Sequence, residues 1–503
     1  MASAVDRRGA AEPPDVERGE PRSVIVIGAG ISGLVAAWEL KRRGVPVTVY
    51  EAGPHAGGAI GTSLADGFLA ERGPNAFVAS GPTEALITRL GLQPDVVEML
   101  PGANRRYVVR GGRLLPFPTT PPALLGTSLF SVRAKLRVLL EPLVRRAPPE
   151  AEESVASFVR RRLGPEVLDY AVNPFVAGIF TGDPERLSMA HAFPRVHEFE
   201  RTHGSLSKGL VRSLRRTRRP ASRGRGDAGA VEAAAFGDAG AHAAPGPAVG
   251  GARLISFRDG MQVLTDTLAD ALGNALKLST PARLLHRGEA RWIVESGPDG
   301  AVRARAVDAV VLATPAHSLA AMELPAAVRR HALPIEQVTH PPVSLLTLGF
   351  RREDVAHPLD AVGVLVPAVE RRQVLGVSFV SSIFPERAPA GHVALTVFVG
   401  GARQPDLARL PTDALVRTIR GDLRDLLGIR GEPVFTTHVY WSRGIPQYEI
   451  GHGRVQDAAG DTEAANPGLY LVGNYRHGVS VGDCIASGQQ AADRVAAYLT
   501  RTN

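Results

Sequence analysis

The sequence predicts an α/β protein of more than one lobe, the first lobe built on a Rossmann-like parallel sheet. Three observations lead there. Val24-Ile25-Val26-Ile27 is a continuous β-branched run, as in a parallel strand buried on both faces. Gly28, Gly30 and Gly33 follow at once as G-x-G-x-x-G and open a helical pattern. The chain has 503 residues, too many for one compact core, and strand-like and helix-like segments alternate along it.

The elements follow in order. Gly28 permits the tight turn, Gly30 lets a pyrophosphate approach the backbone, and Gly33 lets the helix pack on the strand. The spacing of Leu34, Ala37 and Leu40 predicts a helix from about Ser32 to Arg43, stopped by Gly44. Its free N–H groups and positive dipole end favour phosphates. Val45 to Tyr50 reads as the second strand. Glu51 stands at its end, where a carboxylate accepts from ribose hydroxyls and repels a 2′-phosphate. A second glycine cluster, Gly57-Gly58-Ala59-Ile60-Gly61, lies just beyond. Phe68 to Asn75 reads as a short strand ending in a turn.

From Gly111 to Ala147 the chain is apolar and proline-rich, then basic. SVRAKLRVLLEPLVRR, Ser131 to Arg146, reads as an amphipathic helix with Leu136, Val138, Leu139, Leu140 and Leu143 on its apolar side. Packing on its own domain and lying in a membrane interface both fit that pattern. Arg212 to Arg219 is a basic run without interleaved aromatics, which reads as a solvated face rather than a nucleic-acid contact. Ala221 to Ala252 is an Ala/Gly/Pro-rich insertion with no periodicity, expected to be disordered. Structure resumes at Leu254 with a turn and an amphipathic helix, and Arg303 to Thr314 reads as one strand. Near the C-terminus Leu469 to Val472 reads as a buried strand and Gly473-Asn474 as a turn. Gly482-Asp483 then leads a helix rich in Ala and Gly.

Composition excludes some classes. Hydrophobic residues make up 44% and charged residues 21%, as in ordinary globular proteins. A net charge of +8 favours anionic substrates or anionic surfaces. Cys484 is the only cysteine, so an internal disulfide, a Cys-based zinc site and an iron–sulfur cluster are excluded. Residues 1–21 are polar and lack the apolar stretch of a signal peptide; they read as a disordered tail. No apolar run is long enough to span a bilayer.

Beyond these motifs the chain resembles the protoporphyrinogen oxidase family, within the flavin amine oxidase-like superfamily. The stretches that carry the resemblance are ERGPNAF (Glu71–Phe77), FVAGIFTGDPERLSM (Phe175–Met189), GVLVP (Gly363–Pro367), FPERAP (Phe384–Pro389), GIPQY (Gly444–Tyr448) and GNYRHGVSVGDCI (Gly473–Ile485). It covers Val24 to Leu499 apart from the insertion. It implies non-covalent FAD, with contacts falling on Gly28, Gly30, Ile31, Ser32, Gly33, Glu51, Ala52, Gly58, Gly73, Pro74, Gly473, Val479, Ser480 and Val481. The family's adenine-side Val falls on Ala282, a departure, and the aromatic that some members carry after Gly-His is Gly453 here. The substrate's carboxylate-binding Arg falls on Arg106, and the pocket walls on Asn75, Gly178, Leu365 and Phe379. Read without the resemblance, Leu365 and Phe379 are core residues and Gly178 is a turn.

The implied organisation is a discontinuous FAD-binding domain at 22–92, 253–320 and 440–503. A substrate-binding domain takes 93–111, 206–220 and 321–439, and a helical membrane-binding domain takes 112–205. The implied reaction is oxygen-dependent oxidation of protoporphyrinogen IX to protoporphyrin IX, six electrons in three FAD-mediated hydride transfers, with H2O2 released. No side chain is assigned as general base, and no metal is expected. His477 reads as a satisfied or exposed histidine. The implied setting is the cytoplasmic membrane surface, attached peripherally, as monomer or homodimer, with ferrochelatase as an expected partner and no nucleic acid. The rivals are a coproporphyrinogen III oxidase of the same family, a flavin amine oxidase or carotenoid desaturase, and a non-catalytic escort-like binding protein.

Overall fold

The structure is a computed structural model describing residues 22–501 apart from 104, 149–150, 210–252, 289 and 298–300. The N-terminal tail, the whole Arg212–Arg219 run and the 221–252 insertion therefore lie outside the described residues.

Five parallel strands form the first sheet, in the order Leu276–Lys277, Val47–Tyr50, Val24–Ile27, Ala309–Leu312, Leu469–Leu471. The sheet is thus drawn from three distant stretches of chain. The central strand, Val24–Ile27, is buried throughout, which explains its unbroken apolar run. The first helix spans Ile31–Arg42, one residue earlier than expected, because Gly30 already has extended backbone and serves as its N-cap. The second strand begins only at Val47; Pro46 instead gives its carbonyl to Val24 N, at 2.9 Å.

The single strand expected from Arg303 to Thr314 is two. Arg303–Val307 joins an antiparallel meander with Trp292–Ser296 and Ala282–Arg287, whereas Ala309–Leu312 enters the parallel sheet. The break falls at Asp308, whose carboxylate accepts from Ser23 N at 2.9 Å. Its physical sign is the change from RARAV, partly exposed, to AVVL, buried on both faces.

A seven-stranded mixed sheet forms the second body. Its order is Phe435–Trp441, Val343–Arg351, His392–Gly400, Val374–Ser378, Gly363–Leu365, Tyr107–Arg110, Arg113–Pro116. Only the Gly363–Leu365 and Tyr107–Arg110 pair runs parallel. One face packs on the Thr412–Leu427 helix, whose Leu415, Ile419 and Leu423 are buried against Leu346, Leu348 and Val397. The Asn173–Phe180 helix packs on strands of the other face.

Residues 112–209 are mainly helical. The Ser131–Arg146 segment is helical only over Val132–Leu139, followed by a 3₁₀ turn at Glu141–Leu143 that contains Pro142. Ala134 and Val138 face the local core, while Val132, Leu136, Leu139, Leu140 and Leu143 are each more than half exposed. Among the described residues no helix is long and apolar enough to cross a membrane.

Candidate functional site

The site begins at the carboxyl ends of the parallel strands. Gly28 sits there with φ +103°, and a Cβ on it would stand 2.6 Å from Ala313 O. A Cβ on Gly33 would stand 2.0 Å from Gly28 O, so the first helix packs on the turn as closely as backbone allows. Gly30 differs: nothing lies within 4 Å of where its Cβ would be. Gly57 pairs with Gly30 as a parallel bridge, its N–H donating to Ala29 O at 2.8 Å, and Gly58 lies against Gly30. The second glycine cluster therefore runs alongside the first turn.

Glu51 accepts from Ala29 N at 2.7 Å through Oε2 and from Gly53 N at 2.8 Å through Oε1. Ala52 beside it is exposed. Thr280 N donates to Glu51 O at 2.7 Å, which brings the start of the strand carrying Ala282 to the same place. Gly73 packs on Ala59, where a Cβ would be 2.2 Å from its carbonyl, and Pro74 is buried behind it. Ile31 and Ser32 are buried in the first turn of the helix, and Ser32 Oγ donates to Cys484 O at 2.9 Å.

That bond ties the first helix to the C-terminal one, Val481–Arg501. Gly488 makes the close approach possible, since a Cβ there would stand 2.4 Å from Ser32 O. Ser480 and Asp483 form a capping box: Ser480 N and Oγ donate to Asp483 Oδ2 at 3.0 and 2.6 Å, and Asp483 N returns to Ser480 Oγ at 3.0 Å. The amides of Val481 and Gly482, the first two helical positions, have no intrahelical acceptor. Gly473, φ +147°, turns the chain out of the last parallel strand beside Thr314. Val479 is buried, and His477 is exposed.

These residues fit a dinucleotide. The open Cβ position of Gly30 leaves its backbone free for a phosphate to approach, two glycine-lined segments flank it, and Glu51 is held in place by two backbone amides, where a ribose could bond it. Burial pushes the Cys484 thiol up to about 12, which leaves it a protonated, inert group.

The wall residues fall into two groups. Leu365 shares one apolar cluster with Val479, Tyr448 and Ile179, so the Gly178 helix, the C-terminal motif and the sheet meet there. Arg106 is 2% exposed and precedes Tyr107, whose strand pairs with Val364. Arg105 is exposed instead and pairs with Asp360 at 3.1 Å. Asn75, half-buried, precedes Ala76, which packs on Val362; Val362 N in turn bonds Arg105 O. Phe379 stands apart. Its N–H bonds Val362 O at 2.9 Å, but its fully buried ring belongs to the cluster on the opposite face from Leu365, with His357 at 5.6 Å.

Three residues of the site escaped the sequence reading. Tyr448 Oη donates to Asn474 O at 2.6 Å and accepts from Gly478 N at 2.8 Å, clamping the loop before Val479. Burial raises its hydroxyl well above the usual range. Trp441 Nε1 donates to Arg72 O at 2.9 Å, holding the Gly73–Pro74 turn from the other sheet. Glu71, almost wholly buried, accepts from Thr62 Oγ1 at 2.7 Å and Met261 N at 2.9 Å, and lies 3.5 Å from Arg387. The stretches GIPQY, ERGPNAF and FPERAP were the available signal, but a motif without its tertiary partner discloses no role.

The family profile described as "Flavin containing amine oxidoreductase" matches residues 31–496. The chain belongs to that family. Within it the chain is a protoporphyrinogen oxidase homologue: Protoporphyrinogen oxidase 2, chloroplastic/mitochondrial, of Arabidopsis thaliana is 33% identical, over 98% of this chain and 97% of the relative. Coproporphyrinogen III oxidase of Propionibacterium freudenreichii subsp. freudenreichii is also 33% identical, over 94% of this chain and 90% of its own. A crystal structure from Exiguobacterium sp. 255-15, described provisionally as a protoporphyrinogen oxidase, superimposes with a TM-score of 0.76 at 24% identity, over 95% and 99% of the two chains. The family carries flavin, which agrees with the glycine-built cradle.

Proposed function

We propose that this flavoprotein is an oxygen-dependent protoporphyrinogen IX oxidase that binds FAD without a covalent link and releases H2O2. The observation that supports it best is identity extending through the substrate-facing lobe as well as the flavin lobe, 33% over 98% of the chain. Bound FAD would supply hydride acceptance and reoxidation by oxygen, three times per porphyrin formed. The chain's own part is to bind and orient. Gly28, Gly30, Ile31, Ser32, Gly33, Gly58, Gly73 and Pro74 would hold the pyrophosphate side, Glu51, Ala52 and Ala282 the adenosine side. Gly473, Val479, Ser480 and Val481 would hold the ring, where the helix dipole favours negative charge.

Arg106 would bind a substrate carboxylate from a buried position, where a charge-assisted bond is strong. Leu365 and Gly178 would form walls, with Asn75 orienting the macrocycle. Phe379, set on the far face, would support the wall from behind. No side chain need act as base, because pyrrole nitrogens and solvent exchange protons.

The helical region at 112–205 would attach the protein peripherally to a membrane on its cytoplasmic side. Support comes from the exposed Leu136, Leu139, Leu140 and Leu143 with exposed Arg133, Arg137, Arg145 and Arg146 around them.

Coproporphyrinogen III is the second reading, favoured by the Propionibacterium relative at equal identity. The test is to mix the yellow protein in air with each porphyrinogen and follow porphyrin fluorescence. Fast enzyme-dependent fluorescence with protoporphyrinogen IX supports the first reading. Preference for coproporphyrinogen III moves the protein to the second. No acceleration with either sinks both.

A further inference from the structure

We infer that Arg403 is a second carboxylate anchor, holding a substrate propionate at the opposite end of the pocket wall from Arg106. The inference rests on the porphyrinogen reading above.

Arg403 follows the His392–Gly400 strand. Gly400 and Gly401, with φ +97° and +63°, turn the chain onto the Asn173–Phe180 helix. There a Cβ on Gly401 would stand 2.4 Å from Thr181 O, and Ala402 N donates to the same carbonyl at 2.7 Å. The backbone is thus pinned at the C-terminal end of the helix that carries Gly178. The side chain runs back to the start of that helix, where Nη2 donates to Asn173 Oδ1 at 3.1 Å. Nη1 donates to the carbonyl of Val366 at 2.9 Å, the residue after Leu365. Arg106 lies towards the other end of the same short strand, one residue before Tyr107, which pairs with Val364. The two arginines bracket Leu365 across about three residues, roughly 10 Å of strand. That is the scale of a tetrapyrrole macrocycle.

Among the described residues the charge of Arg403 has no carboxylate in contact. Its two hydrogen-bond acceptors are neutral oxygens, and a guanidinium carries five N–H donors. Three other half-buried arginines meet a carboxylate, Arg110 with Glu166, Arg161 with Glu153 and Arg372 with Asp422, whereas Arg352 meets only the carbonyls of Val355 and His357. A guanidinium drawn out of water without an anion is unfavourable. Burial pulls Arg403 down to about 10 against the opposing charge of the more distant Asp183, so it stays cationic at neutral pH. The remaining donors suit a planar carboxylate.

The experiment compares protoporphyrinogen IX with its dimethyl ester, in the native protein and in R403M, by porphyrin fluorescence in air. R403M is expected to raise KM for the diacid about tenfold or more, the worth of one lost charge-assisted bond, with kcat changed much less. KM for the diester should match that of the native protein. An unchanged diacid KM overturns the inference. So does an equal rise for diacid and diester, which would make Arg403 a brace for Asn173 and Val366 alone. If R403M does not fold, R403Q, which can still donate to Val366 O, carries the same expectations. Native protein that oxidises neither compound overturns the porphyrinogen reading itself, a result the native arm separates from a failure at Arg403.

Discussion

Two buried helix contacts in this protein are made by opposite means. The Ile31–Arg42 helix meets the C-terminal helix through missing or small side chains, with Gly488 laid on the backbone of Ser32 and Val35 and Leu40 sealed beside Ala491 and Val495. The Val155–Arg162 helix is instead organised by charge. Arg162, with no exposed surface, bonds Glu141 at 2.8 Å and Glu200, and Glu141 also accepts from Ser205, Leu206 and Ser207. Burial pushes Glu141 up, but those hydrogen bonds outweigh it and hold the carboxyl below its ordinary range. Beside the first contact, the space at Gly30 stays open. The second pairs the Arg162 guanidinium and the Glu141 carboxylate with partners from within the protein.

The comparison breaks most forcefully at Arg162. Removing one member of a buried ion pair strands the others, which costs about 3–5 kcal/mol. R162M should lose that much in urea denaturation followed by circular dichroism, because Glu141 and Glu200 would remain buried. A loss below about 1 kcal/mol would show that the charges are solvated and that the contrast is false.

Glu71 joins the two designs, a buried charge beneath the glycine turn at Gly73. Burial pushes it up to about 7, against the pull of the Arg387 charge and the hydrogen bonds from Thr62 and Met261. A carboxyl whose folded pKa lies above its unfolded value binds the proton more tightly when folded. Its contribution to stability is full below the unfolded pKa, 4.5, and is lost as pH rises through about 7. The loss amounts to about 3 kcal/mol. E71Q fixes the neutral form, so it should flatten the fall in stability between about pH 4.5 and pH 7. Parallel pH dependence in the two proteins would remove Glu71 as the cause.

What the sequence disclosed follows the same division. The glycine-built region was legible from Val24 to Gly58, because absent side chains at fixed intervals have few other uses. Boundaries moved by a residue or two where caps intervened, as at Gly30. The ion-built region was not legible. Arg162 finds its partners 21 and 38 residues away, and nothing in the pattern of arginines separates a buried one from a solvated one. The Ser131–Arg146 helix was read too long for the same reason: Glu141 looks like a surface acid and Pro142 like a kink, yet together they end the helix and turn the acid inward. The wall residues came from resemblance alone, and only the sheet register shows that Leu365 and Phe379 face opposite ways.

Within the glycine region the same substitution should act differently at neighbouring positions. In G33A the new methyl stands 2.0 Å from Gly28 O, a backbone atom that cannot swing away. The turn must shift, at a cost of about 1–3 kcal/mol, and flavin should be lost with it.

In G30A the methyl meets nothing of the protein within 4 Å, and φ is −68°, a value alanine adopts freely. Reduced freedom of the unfolded chain offsets the poorer N-cap, so the flavin-free protein should unfold within about 0.5 kcal/mol of the native one. The methyl does, however, occupy the approach of the pyrophosphate to the turn. Flavin affinity, titrated by quenching of free FAD fluorescence, should therefore fall about tenfold or more. A stable G30A protein that keeps native affinity would mean that the space beside Gly30 is not where the phosphates lie. A G30A protein that unfolds would mean that Gly30 is there for the turn, as Gly33 is. Only the combination of unchanged stability and weakened binding assigns the gap to a ligand, which is why the smallest change in stability is the most informative of the series.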